Sequence, residues 1–383
     1  MRTVVVAKFV PWPPNSGDKR RTLGIVRALH EQGPVTLCAF SGPDEDAAPL
    51  AAEGIEVRSV PLRRRPVDLA AGLLRGRSLT SARFWDPQLE RAVREAAGSD
   101  LDVLVVEHVQ LLPFAHGVVA KSVVVDMHNI ESALAQRIAQ SSTGPKRLVY
   151  DLEARALRRL EARAAAADIV AVVSEIDRDT LARSVNHPQV VVVPNAWEET
   201  APLPPATDPV VSFVALLSWA PNVDAAVWFT HSVWPLVTAR LPGARLQLVG
   251  RNPARAVRDL AGPDVEVTGT VDDLAPWYGR TRVCVAPLLA GGGSRLKIME
   301  ALAAGRPLVA TTIGAEGLED LVGRGVVVED APDRMADALV GLLADGERSA
   351  ELGRRGAEAV ATDHTWSAAV RPLLAALSAP SAD

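Results

Sequence analysis

The chain of 383 residues has 48% hydrophobic and 23% charged side chains, with a formal net charge of −5. This composition is typical of a folded globular protein, the length favours two domains, and the negative charge argues against general binding of nucleic acid. No uninterrupted apolar run reaches the ~18 residues that a membrane-spanning helix needs.

The N-terminus and the cysteines favour a cytoplasmic protein. The opening MRTVVVAKFVPWPP has an apolar run that is shorter than that of a signal peptide and ends at prolines. Cys38 and Cys284 both lie in apolar runs, and neither belongs to a zinc-ligand pattern. We therefore expect two buried free thiols in a reducing compartment.

The first half of the chain alternates predicted strands and helices. Each predicted strand is short, rich in valine and apolar throughout, which is typical of parallel strands buried on both faces. The predicted strands of this half cover residues 3–10, 35–40, 55–60, 103–107, 122–126, 169–174 and 190–193. The predicted helices between them include residues 19–32, 87–97, 131–139 and 146–167.

The loop after the first predicted strand combines Asn15, Ser16 and Gly17 with a basic helix start that includes Lys19. It follows the carboxyl end of a strand, the edge at which open α/β sheets bind ligands. Glycine permits the close approach of a ligand to the backbone. The alternative interpretation is a turn followed by solvated basic side chains at residues 19–21.

Two later segments of this half are rich in charge. The basic run 62–77, LRRRPVDLAAGLLRGR, predicts either contact with an anionic acceptor or membrane surface or a solvated loop. The helix at 146–167 places Glu153, Arg158 and Glu161 at helical spacing. We interpret these three residues as part of a solvated face of ion pairs.

The segment SVVVDMHNIES places His128 and Asn129 just past a predicted strand. We expect Asp126 to be buried and to orient His128, as carboxylates often do for histidine rings. The residues alone leave two interpretations open, a histidine that contacts a ligand and a structural histidine with its hydrogen bonds satisfied.

A predicted linker separates the two halves. Residues 195–209, NAWEETAPLPPATDP, contain four prolines and little periodicity. The second half then repeats the alternation, with strands at 210–217, 245–249, 265–268, 283–288, 307–311 and 325–328 and helices at 222–238, 333–344 and 348–362. Two successive β/α halves predict two doubly wound, Rossmann-like domains that face each other across a cleft.

The most informative stretch is 283–312, VCVAPLLAGGGSRLKIMEALAAGRPLVATT. Three consecutive glycines, Gly291, Gly292 and Gly293, form the loop between a strand and a helix, and Ser294 is a good N-cap for that helix. Glycines allow a ligand to approach the backbone, and the free N–H groups of a helix start favour an anion.

Three charged side chains follow this loop. Arg295 and Lys297 add positive charge at the helix start, and Lys297 is the only lysine after residue 200. Glu300 offers a carboxylate that accepts two hydroxyl hydrogen bonds. An anion site, a cation and a diol acceptor together predict a nucleotide-sugar pocket. The alternative is an ordinary β-α-β unit with a Lys297–Glu300 surface pair.

The segment GGGSRLKIMEALAAGRPLVATTIGAEGLE resembles the donor-site signature of retaining GT-B glycosyltransferases of family 4, the group 1 glycosyl transferases. The resemblance extends over nearly the whole chain, through SWAPNVDAAVWF, LVGRNP, VTGTVDDL and the terminal HTWS, and is strongest to the subgroup with a GG[ST]RLK loop. In the more familiar pattern a first glutamate precedes Glu300 by eight residues, where this chain has Gly292.

The resemblance implies roles for individual residues. It places the catalytic contacts at His128, near the donor sugar, and at Arg295 and Lys297, on the leaving diphosphate. The donor-binding residues that it implies are Glu300 on the ribose diol, the loop of Gly291, Gly292, Gly293 and Ser294, Arg251, Val271 at the base, and Trp219, which stacks on a base or packs. For the acceptor or diphosphate it implies Asn15, Ser16, Gly17, Lys19 and Asn129.

The loop after the first strand of the second domain departs from the family. Many members carry Arg and Lys there, whereas this chain has Ser218, Pro221 and Asn222 and no cation. We therefore expect Arg295, Lys297 and the loop amides to neutralise the diphosphate. The Asp272-Asp273 pair is interpreted as a helix start, so no metal and no other cofactor is expected.

The resemblance implies an acceptor-binding domain at 1–198, a donor-binding domain at 199–364 and a final helix, 365–383, that crosses back to the first domain. It implies a retaining hexosyltransferase that moves a sugar from a nucleotide diphosphate sugar, a UDP-sugar by preference, to a hydroxyl of a small-molecule, glycan or lipid-linked acceptor. A nucleotide-sugar epimerase and a non-catalytic sugar-nucleotide-binding partner of another transferase are the alternatives. The sequence does not predict the oligomeric state.

Overall fold

The computed structural model describes residues 1–62, 78–140, 142–187, 189–198, 200–290 and 296–379. The chain divides into two compact units, one formed by Met1–Pro194 with Ala369–Asp383 and the other by Asn195–Ala368. Each unit is built on one parallel sheet with helices in its crossover connections. The predicted α/β class is therefore confirmed.

The described residues of the first unit form a seven-stranded parallel sheet in the order β3-β2-β1-β4-β5-β6-β7. Chain order reverses between β1 and β4, and loops that leave such a switch point diverge and open a crevice for ligands. The strands are β1 (Thr3–Ala7), β2 (Val35–Ser41), β3 (Glu56–Pro61), β4 (Val103–Glu107), β5 (Ser122–Met127), β6 (Ile169–Val172) and β7 (Val190–Val192).

Apolar side chains on both faces explain why these segments are central strands. All five residues of β1, TVVVA, are buried. On one face Val4 and Val6 share a core with Leu89 and Val93 of the helix Pro87–Ala97. Within residues 1–194, the described helices are α1 (Gly17–His30), α2 (Ala48–Ala52), α3 (Leu79–Arg83), α4 (Pro87–Ala97), α5 (Glu131–Gln140), α6 (Gly144–Arg163) and α7 (Glu175–Ala182), with a 3-10 segment at Val109–Ala115.

The second unit repeats the scheme with a six-stranded parallel sheet in the order β10-β9-β8-β11-β12-β13. Its switch point lies between β8 and β11. The described strands are β8 (Val210–Val214), β9 (Arg245–Val249), β10 (Val265–Gly269), β11 (Val283–Ala286), β12 (Leu308–Ala310) and β13 (Val326–Val328).

The described helices of the second unit lie between its strands and after β13. They are α8 (Ala220–Trp228), which continues through a π-helical turn at Phe229–Val233 into α9 (Trp234–Arg240), then α10 (Arg255–Arg258), α11 (Ala275–Arg280), α12 (Leu296–Ala303), α13 (Thr312–Ala315), α14 (Pro332–Ala344), α15 (Gly346–Asp363) and α16 (Trp366–Ala369). The last described helix, α17 (Arg371–Ser378), belongs to the first unit and contacts β7.

A glycine brings two loops of the second unit together. Gly250 follows β9 with φ of 156°, and a Cβ built on it would lie 1.7 Å from the carbonyl oxygen of Ala215. No side chain fits this position, so the backbone after β8 and the backbone after β9 approach each other at the carboxyl edge of the sheet.

The interpretation of Glu153 and Glu161 as solvated residues is wrong, because both side chains of α6 are buried. Glu153 accepts hydrogen bonds from the backbone N–H groups of Leu79 and Thr80 at 2.7 and 3.0 Å, at the start of α3. Glu161 accepts from the N–H and hydroxyl of Ser132, at the start of α5. Each glutamate thus satisfies free donors at the first turn of a neighbouring helix. Arg158 alone is exposed, as predicted.

The two cysteines and the membrane-span prediction fit the structure. Cys38 and Cys284 are buried free thiols, and burial raises the pKa of each to about 12. In the part of the chain that the structure describes, no helix has the length and apolar character needed to cross a bilayer.

Candidate functional site

Two buried carboxylates mark the carboxyl edge of the first sheet. Glu107 is the last residue of β4, Asp126 lies near the end of β5, and the two are neighbours in the strand register. Both residues are fully buried. Charged carboxylates at such positions require partners, because an unpaired buried charge is strongly destabilising.

Arg21 is the partner of Asp126. Its Nε and Nη2 donate to the two oxygens of Asp126 at 2.7 and 2.5 Å, and its Nη1 donates to the carbonyl of Val193 at 2.8 Å. Burial raises the pKa of Asp126, but the charge of Arg21 and a hydrogen bond from His128 outweigh it, and the net shift is downward. The interpretation of Arg21 as a solvated arginine is therefore wrong, because the side chain is 1% exposed.

His128 lies against both carboxylates. Its Nε2 is 2.7 Å from Oε2 of Glu107 and 3.2 Å from Oδ2 of Asp126. Burial lowers the pKa of His128, but its hydrogen bonds to Asp126 and Glu107 and their charges raise it more, so the net shift is upward. The expected contact between Asp126 and His128 is present, and Glu107 joins it as a second carboxylate that sequence reasoning missed.

A second histidine stacks on the first. The rings of His108 and His128 have centroids 3.6 Å apart and an interplanar angle of 30°. His108 adopts a positive φ of 75° directly after β4. Burial and then the positive charges of His128 and Lys8 hold the pKa of His108 well below its usual value. The surroundings therefore favour the protonated form of His128 and the neutral form of His108.

Glu107, Asp126 and His128 each place one ligand atom within 4.8 Å of the others, a spacing that metal ligands also show. Arg21, however, already binds both oxygens of Asp126. A divalent cation would lie beside that fixed guanidinium charge. We therefore interpret the cluster as a charge network around His128, and the expectation of no metal stays a prediction.

The first loop lies at the same edge of this sheet as His128. Ser16 immediately precedes α1 and its hydroxyl donates to Asp18, while Gly17 is the first helical residue. Lys19 forms an ion pair with Glu45 at 3.1 Å. Asn15 is exposed, and Asn129 is half-buried. The structure thus places these predicted residues after β1 and β5, although Lys19 already has a carboxylate partner.

The pH dependence of stability should report the charge on His128. Because its pKa is raised above the ordinary 6.5, the folded state binds this proton more tightly than the unfolded state. The stabilisation is fully present below pH 6.5 and is lost as pH rises through the folded-state pKa. We expect His128→Asn to flatten the alkaline fall in the free energy of urea unfolding. His231→Asn, at an exposed position, should keep the wild-type profile, and an unchanged profile in His128→Asn would contradict the charged ring.

In the second unit, Lys297 reaches the loop that lacks a cation of its own. From α12 its Nζ donates to Oδ1 of Asn222 at 2.8 Å and lies 5.4 Å from the ring centroid of Phe213 on β8. Asn222 is itself held by a hydrogen bond from its Nδ2 to the carbonyl of Leu216 at 3.0 Å. The contact therefore joins the first turns of α8 and α12, the helices that follow β8 and β11 on either side of the switch point.

Other predicted donor residues lie at the same edge of this sheet. Trp219, Arg251 and Val271 follow β8, β9 and β10, and Glu300 lies one turn beyond Leu296 on α12. Trp219 and Arg251 are exposed, whereas Val271 and Glu300 are half-buried. The remaining predicted residues, Gly291, Gly292, Gly293, Ser294 and Arg295, lie outside the described residues.

Comparison with known families follows the division into units. Residues 16–196 match the model described as glycosyl transferase 4-like domain, and residues 208–345 match the model described as glycosyl transferases group 1. The paired models and the two doubly wound sheets define a two-domain glycosyltransferase of the GT-B class. The chain belongs to the family of group 1, family 4-like glycosyl transferases.

Curated relatives share a limited part of the chain. A phosphatidyl-myo-inositol mannosyltransferase of Mycolicibacterium smegmatis is 36% identical over 134 residues, which cover 33% of this chain and 34% of the relative. A GDP-mannose-dependent α-(1-6)-phosphatidylinositol monomannoside mannosyltransferase of Mycobacterium tuberculosis is 32% identical over 150 residues, 34% of this chain and 38% of the relative. The matches thus span little more than a third of each relative.

Solved structures with the same fold cover the whole chain. Sucrose-phosphate synthase from Thermosynechococcus elongatus superposes with a TM-score of 0.68 at 18% identity, covering 98% of this chain and 97% of that one. HepE of Anabaena, in complex with UDP and glucose, gives 0.67 at 15% identity, covering 99% and 100%. At these identities the likeness establishes the fold.

Proposed function

We propose that this protein is a retaining hexosyltransferase that moves a sugar from a nucleoside diphosphate sugar to an acceptor hydroxyl. Family membership supports sugar transfer. The observation that carries the proposal for the donor is the contact of Lys297 with Asn222 at the switch point of the second sheet. Lys297 thereby supplies a positive charge at the edge where open α/β sheets bind nucleotides.

Two side chains of α12, one helical turn apart, bind different parts of the donor in this proposal. Lys297, near the helix start, neutralises the leaving diphosphate, where negative charge develops in the transition state. Glu300 lies one helical turn along and accepts hydrogen bonds from the ribose diol. Trp219 and the backbone at Val271 contact the base.

His128 is the proposed contact to the sugar. The contacts of His128 with Glu107 and Asp126 both use Nε2, which fixes the ring. In this proposal Nδ1 is the nitrogen that binds a substrate oxygen. An imidazolium ring, which carries a proton on both nitrogens, donates a hydrogen bond from Nδ1. In this role His128 stabilises negative charge on oxygen rather than accepting a proton.

The names of similar proteins suggest candidates for the nucleobase of the donor and for the acceptor. The mycobacterial relative is described as GDP-mannose-dependent and as acting on a phosphatidylinositol monomannoside, whereas HepE was solved with UDP and glucose. We keep the UDP-sugar as the first expectation and GDP-mannose as its competitor. For the acceptor we propose a lipid-linked or glycan hydroxyl.

Proton NMR of the purified protein with UDP-glucose or GDP-mannose, in deuterium oxide, tests the proposal. A transferase releases nucleoside diphosphate only when an acceptor such as a phosphoinositol lipid is added, and the one-bond C1–H1 coupling at the anomeric centre of the product shows retention. Deuterium at a sugar carbon without an acceptor would identify an epimerase instead. Donor binding without any turnover across the acceptors would favour a non-catalytic partner.

Replacing Glu300 should weaken nucleotide binding. In Glu300→Ala two ribose hydroxyls lose a charged acceptor, and we expect about 2 kcal/mol of binding free energy to be lost, on the order of thirtyfold in Kd. Titration calorimetry with UDP and GDP measures the change. Glu319→Ala, an exposed glutamate of the same unit, serves as the control. Equal affinity in Glu300→Ala and wild type would remove Glu300 from the pocket.

Turnover should survive removal of metal ions. Asp126 is bound by Arg21, and Oδ1 of Asp273 accepts from the N–H of Ala275 at the start of α11. These carboxylates therefore have protein partners in place of a divalent ion, while Lys297 supplies positive charge. We expect the same kcat before and after EDTA treatment. Loss of turnover in EDTA with recovery in manganese would defeat the metal-free account.

A further inference from the structure

The outer surface of α6 carries almost only positive charge. This helix contains three acidic residues, of which Glu153 and Glu161 are buried and Asp151 is half-buried. The carboxylate of Asp151 also has protein partners, since Oδ1 accepts a hydrogen bond from Nε2 of Gln136 at 3.1 Å and Oδ2 lies 3.9 Å from Nε of Arg147. All six basic residues of the helix are exposed: Lys146, Arg147, Arg155, Arg158, Arg159 and Arg163.

The same surface exposes large apolar side chains. Leu148 is 62% exposed, Leu152 53% and Val149 45%. Single exposed leucines are ordinary on a protein surface, but contiguous ones mark contact sites. These three lie within little more than one turn of a single helix.

Helical spacing puts the leucines and arginines on one face. Leu148, Leu152, Arg155 and Arg159 follow steps of four, three and four residues, so their side chains point in nearly the same direction. The opposite face of α6 carries the buried Ala154, Leu157 and Leu160. The helix is therefore anchored in the first unit by one face and presents leucines and arginines on the other.

We propose that this outward face of α6 binds the surface of an anionic phospholipid bilayer. Arg155 and Arg159 attract anionic headgroups, and Leu148 and Leu152 enter the boundary between headgroups and acyl chains. Charge favours a membrane over a second copy of the chain, because two such faces would repel each other. The exposed leucines favour a membrane over a nucleic acid, whose backbone offers no apolar contact.

Sedimentation with vesicles tests the proposal without using catalysis, so its outcome is independent of the proposed sugar transfer. The wild-type protein should sediment with phosphatidylcholine vesicles that contain phosphatidylglycerol, but not with pure phosphatidylcholine. Arg155→Gln/Arg159→Gln should weaken partition about 25-fold, because each basic residue near the surface contributes about fivefold. Leu148→Ser/Leu152→Ser should also weaken partition, and by a factor that salt does not change.

The control variants make substitutions of the same kind at exposed positions outside α6. Arg255→Gln/Arg334→Gln removes two exposed arginines from the second unit, and Val119→Ser replaces a 76% exposed apolar residue of the first. Both should bind vesicles like wild type, and circular dichroism checks that every variant is folded. Equal binding of wild type to neutral and anionic vesicles, or full binding by the α6 variants, would overturn the proposal. A wild-type dimer that Leu148→Ser/Leu152→Ser converts to a monomer would assign the face to a second copy instead.

Discussion

Lys297→Ala should lower kcat by roughly 10- to 100-fold, because a charge-assisted contact to a diphosphate contributes about 1.5–3 kcal/mol. The loss should appear in kcat more than in the donor KM, since negative charge on the leaving group grows towards the transition state. The structural basis is the hydrogen bond from Lys297 to Asn222, which brings the lysine to the segment 213–227, where the sequence contains neither Lys nor Arg. Steady-state kinetics with the identified donor measures the effect.

Two variants separate the charge of Lys297 from its position. Lys121→Ala removes an exposed lysine of the first unit that pairs with Asp102, and it should keep wild-type kcat. Asn222→Ala keeps the lysine but loses its tether, so we expect a smaller loss than in Lys297→Ala. If Lys297→Ala turns over like wild type, Lys297 belongs to a surface pair with no part in catalysis.

Arg21→Met should be the most destabilising single substitution considered, by about 3–5 kcal/mol. It leaves the carboxylate of Asp126 buried without its bidentate partner, and breaking a buried ion pair from one side costs this much. Urea unfolding followed by circular dichroism measures the loss in the transition of the first unit.

A matched arginine and a double variant test the reason for that loss. Arg27→Met, on the same helix, removes a pair with Glu53 in which both side chains are about a third exposed, and should cost less than about 1 kcal/mol. Arg21→Met/Asp126→Asn removes both buried charges and should recover part of the stability. A loss in the double variant equal to the sum of the two single losses would show that the charges do not interact.

Valine-rich runs bounded by turn residues made the strands predictable. Residues 103–107 and 245–249 form strands with the predicted ends. The strand predicted at 307–311 is shorter, Leu308–Ala310, and Thr311 after it is the N-cap of α13. Its hydroxyl donates to the carbonyl of Leu288 at 2.5 Å and accepts from the N–H of Gly314 at the start of α13. Side-chain capping of this kind depends on a distant carbonyl, which local periodicity does not reveal.

The buried charges were harder to predict because a charged residue is normally assigned to the surface. Arg21 lies four and eight residues before Ile25 and Leu29, which are buried, so its inward position was present in the helical spacing. Glu107 ends an apolar strand beside another that carries Asp126, and two such buried acids require hydrogen-bonding or charged partners. Their actual partners, Arg21 and His128, depend on strand order, which one sequence does not specify.

The positions of Glu153 and Glu161 were also not predictable from the sequence, because their partners lie on other helices. Their spacing to arginines on α6 satisfies the rule for surface ion pairs, yet they bind the starts of α3 and α5. The free N–H groups of those helices compete with the arginines for each carboxylate. Only the tertiary packing decides that competition, and it turns a face predicted to be balanced in charge into a basic one.

Thermal unfolding with nucleoside diphosphates tests most directly whether the second unit is a donor site. UDP, GDP and ADP, each compared with inorganic pyrophosphate, are added to the wild-type protein. At about 100 times its Kd, the matching nucleotide should stabilise the folded state by about 2.7 kcal/mol and raise Tm by roughly 5–10 °C. A Tm that no nucleoside diphosphate raises above its value in pyrophosphate would contradict a nucleotide-sugar site at the β8–β11 switch point.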